Sequence, residues 1–153
     1  MAGIWDKVEP RVYESRIKVP YAWQAGEIAS HFLLSLKNET KFVGKKCTEC
    51  AKVLVPPRKS CPYCFVETGE WVDVSDEGVV ETYTVVRRDT GILPVEPPFV
   101  YAVIKLDGAD TSMVHVVEGI DVDKAKVGLK VEAVFAEETT STILDIDHFK
   151  PAS

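Results

Sequence analysis

The chain has 153 residues, 46% of them hydrophobic and 27% charged, with a formal net charge of −6 at pH 7. Such proportions belong to a soluble globular protein with room for one domain, or for a small domain with attachments. The acidic balance argues against general affinity for nucleic acid, which depends on neutralising phosphates.

The first ten residues include acids and no apolar run, so they do not read as a secretory signal. No stretch reaches the roughly 18 consecutive apolar residues of a membrane span. The expected address is the cytoplasm, where paired cysteines bind metal more often than they form disulfides.

Residues 1–23 scatter Ile4, Trp5, Val8, Val12, Tyr13, Ile17, Val19, Tyr21 and Trp23 among charges, with Pro10 and Pro20 interrupting. Large apolar groups without a period suit an extended arm packed on the chain itself or on another subunit. From Gln24 to Lys37 the pattern becomes helical. Ala25, Ile28, Ala29, Phe32, Leu33 and Leu36 fall on one face, with Ser35 and His31 on others and Asn38 as a stop. Leu34 lies off the apolar stripe, where a partner can reach it.

Thr40 to Cys47 reads as a short strand, Val53 to Val55 as a second ended by Pro56-Pro57-Arg58, and the stretch around Glu70–Val74 as a third. Between them lie all four cysteines, as Cys47-Thr-Glu-Cys50 and Cys61-Pro-Tyr-Cys64. A tight turn points both sulfurs of a C-x2-C pair to one side, and two such turns complete a tetrahedron around Zn²⁺. Four thiolates leave no open position for an activated water, so the expected role of the metal is structural, with one ion per chain. So short a ribbon cannot bury a self-sufficient core, and the metal supplies much of its folding free energy.

The remainder reads as five strands: Gly78 to Arg87, Phe99 to Leu106, Thr111 to Val117, Leu129 to Phe135 and Ser141 to Phe149. A helical turn from Asp123 lies between the third and fourth, which is the order of an OB-fold barrel. Asp145 and Asp147 fall on one face of the last strand and read as solvated. His115 and His148, without a second ligand nearby in sequence, read as structural.

Charge is uneven along the chain. Between Lys37 and Lys59 there are seven basic residues against two acidic ones, a basic ribbon on an acidic body. Such a patch suits a phosphate-bearing ligand or an acidic partner. No G-x-S-x-G, phosphate-binding glycine loop or H-E-x-x-H is present. With the cysteines committed to metal, no catalytic residue is expected, and the chain reads as a binding or assembly component.

Taken in order, Phe42-Val-Gly-Lys-Lys-Cys47, Pro56-Pro57-Arg58, Cys61-Pro62, Trp71, Gly78-Val-Val-Glu-Thr-Tyr, Pro98-Phe-Val-Tyr-Ala-Val-Ile-Lys-Leu-Asp-Gly and Phe149-Lys-Pro151 resemble the zinc-ribbon/OB-fold acyl-CoA-associated family, whose members accompany thiolase-type enzymes. The resemblance implies a mainly β protein with an N-terminal helix. Residues 1–39 would form arm and helix, 40–72 a rubredoxin-like zinc ribbon, and 73–153 a five-stranded OB-fold barrel.

The function it implies is that of a non-catalytic accessory subunit, bound to a thiolase-like catalytic subunit and helping it hold CoA or an acyl-CoA. Candidate CoA contacts are Lys45, Lys46, Arg58 and Lys59 for the phosphates and Phe99 and Tyr101 as aromatic surfaces. Val19-Pro-Tyr-Ala-Trp-Gln-Ala-Gly is similar to members paired with thiolases of anaerobic aromatic degradation, such as the benzoylsuccinyl-CoA thiolase of toluene breakdown. The competing expectation is a single-stranded nucleic-acid-binding module, a role that OB-folds also serve. The family often has glycine after the second cysteine of a pair; here Ala51 and Phe65 stand there.

Overall fold

A computed structural model describes residues 12, 21–89, 91 and 95–152. Most of the expected N-terminal arm lies outside the described residues. Its described members Val12, Tyr21 and Trp23 are exposed.

The helix α1 spans Glu27–Glu39. Gln24 and Ala25 are not part of it, because Gly26 takes φ 83° and the helical turns begin only beyond it. The helix runs past Asn38 and stops at Thr40, which turns left-handed (φ 51°) and donates its N–H to the Leu36 carbonyl at 3.2 Å. Phe32 and Leu36 are buried as the periodicity requires. Ser35 is buried too, contrary to its expected place on a polar face. Its hydroxyl is satisfied inside the helix, donating to the His31 carbonyl at 3.0 Å.

Three antiparallel strands follow: β1 (Phe42–Cys47), β2 (Val53–Leu54) and β3 (Thr68–Val74), in the order β2-β1-β3. As the central strand, β1 is covered on both sides, and five of its six residues are buried. Gly44 is there for packing. A Cβ at that position would come within 2.7 Å of Val53 Cγ1 and 3.0 Å of Val55 Cγ2.

Beyond lie β4 (Glu77–Val86), β5 (Phe99–Leu106), β6 (Met113–Val117), β7 (Lys130–Phe135) and β8 (Ile146–Pro151), closed into a barrel in the order β4-β5-β6-β8-β7. The β6–β8 contact is parallel and the others antiparallel, and a 3₁₀ turn at Val122–Lys124 joins β6 to β7. This is the OB-fold arrangement.

The last strand departs from expectation. Ile143–Asp145 is a 3₁₀ turn and not strand, because Ser141 is left-handed (φ 61°) and Asp145 folds back on the loop before it. Far from being solvated, Asp145 is 1% exposed. Its carboxylate accepts the N–H of Thr140 at 2.7 Å and of Ser141 at 2.9 Å. Burial alone would raise this carboxyl, but the backbone donors of residues 140–142 outweigh it and hold it below the usual carboxylate value.

One apolar core runs through ribbon base, helix and barrel. Phe32 and Leu36 of α1 and Phe42 of β1 join Ile104, Val131, Ile146 and Phe149 of the barrel. Phe42 sits 5.6 Å from the Phe135 ring and 6.3 Å from that of Phe149. The free edge of β2 is also fastened to the β5–β6 hairpin. Val53 exchanges two hydrogen bonds with Asp110, each 2.8 Å, and the Thr111 hydroxyl accepts the Val55 N–H at 2.7 Å while donating to the Val55 carbonyl at 2.9 Å.

Candidate metal centre

The two cysteine turns are built alike. In the first, the Cys47 N–H donates to the Lys52 carbonyl (2.8 Å) and the Ala51 N–H to the Cys47 carbonyl (3.2 Å). In the second, Cys61 donates to Val66 and Phe65 to Cys61, both at 2.9 Å. Each turn requires a left-handed residue just after its second cysteine, and Ala51 (φ 58°) and Phe65 (φ 60°) supply it without glycine. The cost is on the order of 1 kcal/mol each relative to glycine. Sulfur geometry is kept nonetheless.

The four ligand sulfurs lie within 4.8 Å of one another, with Cys50 and Cys61 at 3.8 Å. A zinc tetrahedron with bonds of about 2.3 Å has sulfur–sulfur edges of about 3.8 Å. The Cys50–Cys61 edge already has that length, and the cluster fits the ion once its widest separations close by up to about 1 Å. Its acid–base chemistry points the same way. Backbone N–H groups, that of Cys50 foremost, bring the Cys47 thiol down to about 7, whereas hydrogen bonding to Cys50, then burial, pushes Cys64 up to about 12. Four sulfurs this close give up their protons together only to a cation. The donor set is all sulfur and closed, which suits a structural zinc.

The basic residues of the ribbon fare differently from one another. Lys45 is 8% exposed; its ammonium donates to the Gly69 carbonyl and lies 4.9 Å from the Trp71 ring centre. It presents no charge at the surface, contrary to its expected contact with phosphate. Lys46 pairs with Glu70 at 3.1 Å and Lys59 with Glu67 at 3.4 Å. Arg58 is exposed and makes no ion pair among the described residues. Phe99 is buried, while Tyr101 reaches the surface beside it, ring centres 6.0 Å apart. These residues are spread over ribbon and barrel.

Two features had only faint sequence signals. His31 is exposed as expected, yet it stacks on Trp71 at 4.0 Å between ring centres, tying the helix to β3. His115 is buried with Nδ1 lacking a hydrogen-bond partner. Burial lowers its pKa, and the imidazole is neutral at pH 7. His148 faces Asp147 at 2.8 Å.

Comparison with known proteins agrees with this architecture. Residues 35–68 match the family model described as the ChsH2 rubredoxin-like zinc ribbon domain, and residues 71–136 the one described as the ChsH2 C-terminal OB-fold domain. A DUF35 domain-containing scaffold protein of Methanocaldococcus jannaschii is 32% identical over 101 residues, spanning 65% of this chain and 71% of that protein. Its counterpart from Pyrococcus furiosus is 26% identical over 105 residues, 69% and 76% of the two chains.

Among solved structures, a DUF35 protein of unknown function from Sulfolobus solfataricus superposes with a TM-score of 0.59 at 29% identity, covering 71% of this chain and 78% of that one. The structure described as an Ltp2-ChsH2(DUF35) aldolase gives 0.62 over 86% of this chain and 100% of that one. At 24% identity its likeness speaks for the fold alone. With the zinc-ribbon and OB-fold models matched in turn along the sequence, and a DUF35 scaffold protein 32% identical over most of its length, the chain belongs to the DUF35 family of zinc-ribbon/OB-fold proteins.

Proposed function

We propose that this chain is a non-catalytic, zinc-containing scaffold subunit of a cytoplasmic thiolase-type acyl-CoA enzyme. The observation that carries the reading is the closed cluster of four cysteine sulfurs, which leaves the metal no open position for substrate. The scaffold descriptions of the archaeal relatives support an assembly role. On this reading the partner supplies the nucleophile and the acid–base groups for C–C bond cleavage. This chain orders the partner's surface and borders its CoA site.

Direct contact with CoA would be slight. Lys45 is withdrawn and Lys46 and Lys59 are matched by glutamates, so of these four ribbon cations Arg58 is the one that makes no ion pair among the described residues and can meet a phosphate. The likeness of residues 19–26 to members serving aromatic degradation makes an aromatic acyl-CoA, of the benzoylsuccinyl-CoA type, the substrate class to try first.

The test is co-expression with a thiolase-type catalytic subunit from the same genome, then size exclusion and a thiolysis assay. Co-elution, with activity lost when this chain is withheld, is expected. Separate elution with full activity in the partner alone would overturn the proposal. Arg58→Ala in the complex should raise the KM for CoA severalfold while leaving kcat unchanged.

A further inference from the structure

We infer that a cleft on the outer wall of the barrel, between β6 and the 3₁₀ turn at Ile143–Asp145, receives an apolar segment of the catalytic subunit that carries a lysine or arginine. The inference rests on the scaffold reading above and names the surface through which it works.

The cleft has a volume of about 420 Å³. Tyr101, Val114, Ile143 and Leu144 line it, and all four are exposed, Leu144 to 66% and Val114 to 53%. Apolar side chains of this size, gathered in one concavity, keep a third or more of their surface in contact with water that the fold of this chain does not cover. Grouped exposure of that kind marks a contact surface.

The walls are rigid before anything binds. Ile143 and Leu144 belong to the turn that the buried Asp145 carboxylate holds through the N–H groups of Thr140 and Ser141. Val114 lies on β6, paired along its length with β5. A preformed surface loses little conformational freedom when occupied.

Charge selects the occupant. The residues at the cleft that can carry charge near neutral pH are Glu118, Asp147 and His115, and no lysine or arginine lines it among the described residues. The buried histidine is neutral, so the cleft is apolar in its walls and negative at its polar positions. The phosphates of CoA and the carboxylate of a succinyl-type acyl group are repelled there. An apolar segment ending in a cation is matched twice, by the walls and by the two carboxylates. Arginine is a frequent anchor in such contacts.

Leu144→Asp and Glu118→Lys carry the test, measured as affinity of the zinc-loaded chain for the purified catalytic subunit. Each is expected to weaken binding tenfold or more with metal content and circular dichroism unchanged. Glu118→Gln should give a shallower loss of affinity as salt is raised. Wild-type affinity in Leu144→Asp and Glu118→Lys would overturn the cleft assignment and leave the scaffold reading standing. Failure of the unsubstituted chain to bind the partner would overturn both. If the variants change self-association in light scattering and not partner binding, a second copy fills the cleft and the inference falls.

Discussion

The ribbon tip and the barrel solve the same problem with different materials. In the barrel, Ile104, Val131, Ile146 and Phe149 are sealed from solvent and the sheet closes over them. At the tip, beyond Leu54 and Val55, the buried side chains are the sulfurs of Cys47 and Cys61, while Tyr63 and Phe65 point outward. Apolar burial holds the barrel at about 25 cal/mol per Å². The tip has sulfurs in place of a core, and its order depends on the ion they hold. A chain can thus carry a region far too small to fold alone, provided metal replaces hydrocarbon at its end and hydrocarbon continues at its base.

The contrast is broken most severely by Cys61→Ser or by a strong chelator. Structural zinc in isolated fingers contributes about 10–16 kcal/mol at pH 7, and the tip has no substitute for it. Loss of metal by elemental analysis, with amide protection lost in residues 47–67 and retained in the barrel, is the expected outcome. Uniform loss across the chain would mean that the two regions are not separable in this way.

Phe149→Ala attacks the other side. A cavity left by a phenylalanine costs about 3–5 kcal/mol, and here the ring also meets Phe42 of the ribbon base and His115. Denaturant unfolding should show that loss for barrel and helix together, since they share a core, while the metal stays bound to the folded fraction.

A smaller effect comes from His115. Its folded pKa lies below the ordinary 6.5, so between that value and the folded one the unfolded chain binds the extra proton. Stability is therefore full above pH 6.5, declines as pH falls below it, and levels off beneath the folded pKa. Melting curves from pH 8 to 5 should show a shallower decline in His115→Phe than in the unsubstituted chain.

The smallest effect expected is a gain. Phe65 is 86% exposed and left-handed, so Phe65→Gly should stabilise the metal-bound chain by up to about 1 kcal/mol. An unchanged melting temperature would mean that the unfolded-state freedom added by glycine offsets the relief of the left-handed backbone.

What was legible in the sequence follows the same division. Cysteine spacing gave the cluster because a metal turn is local: two sulfurs, one hydrogen-bonded loop, and a left-handed residue whose position was marked even where glycine was absent. Strand β5 was readable to its ends, since Phe99–Leu106 alternates between faces and stops at a turn. The misreadings arose where distant partners decide. Ile143-Leu-Asp-Ile-Asp alternates like a strand, and only the donors at Thr140 and Ser141 turn Asp145 inward. Lys45 and Lys46 look equivalent, yet the register opposite Trp71 buries one and leaves the other outside. Ser35 reads as polar surface until its hydroxyl finds the His31 carbonyl.

The fastening of β2 has a consequence for assembly. Its outer backbone edge is already occupied by Asp110 and Thr111, so no foreign strand can add there to extend the sheet. Whatever docks at that edge must recognise side chains rather than main chain. The same four hydrogen bonds also keep the ribbon from swinging on the barrel. A partner that grips the barrel therefore finds the zinc turns already at a set distance and angle, as on a jig.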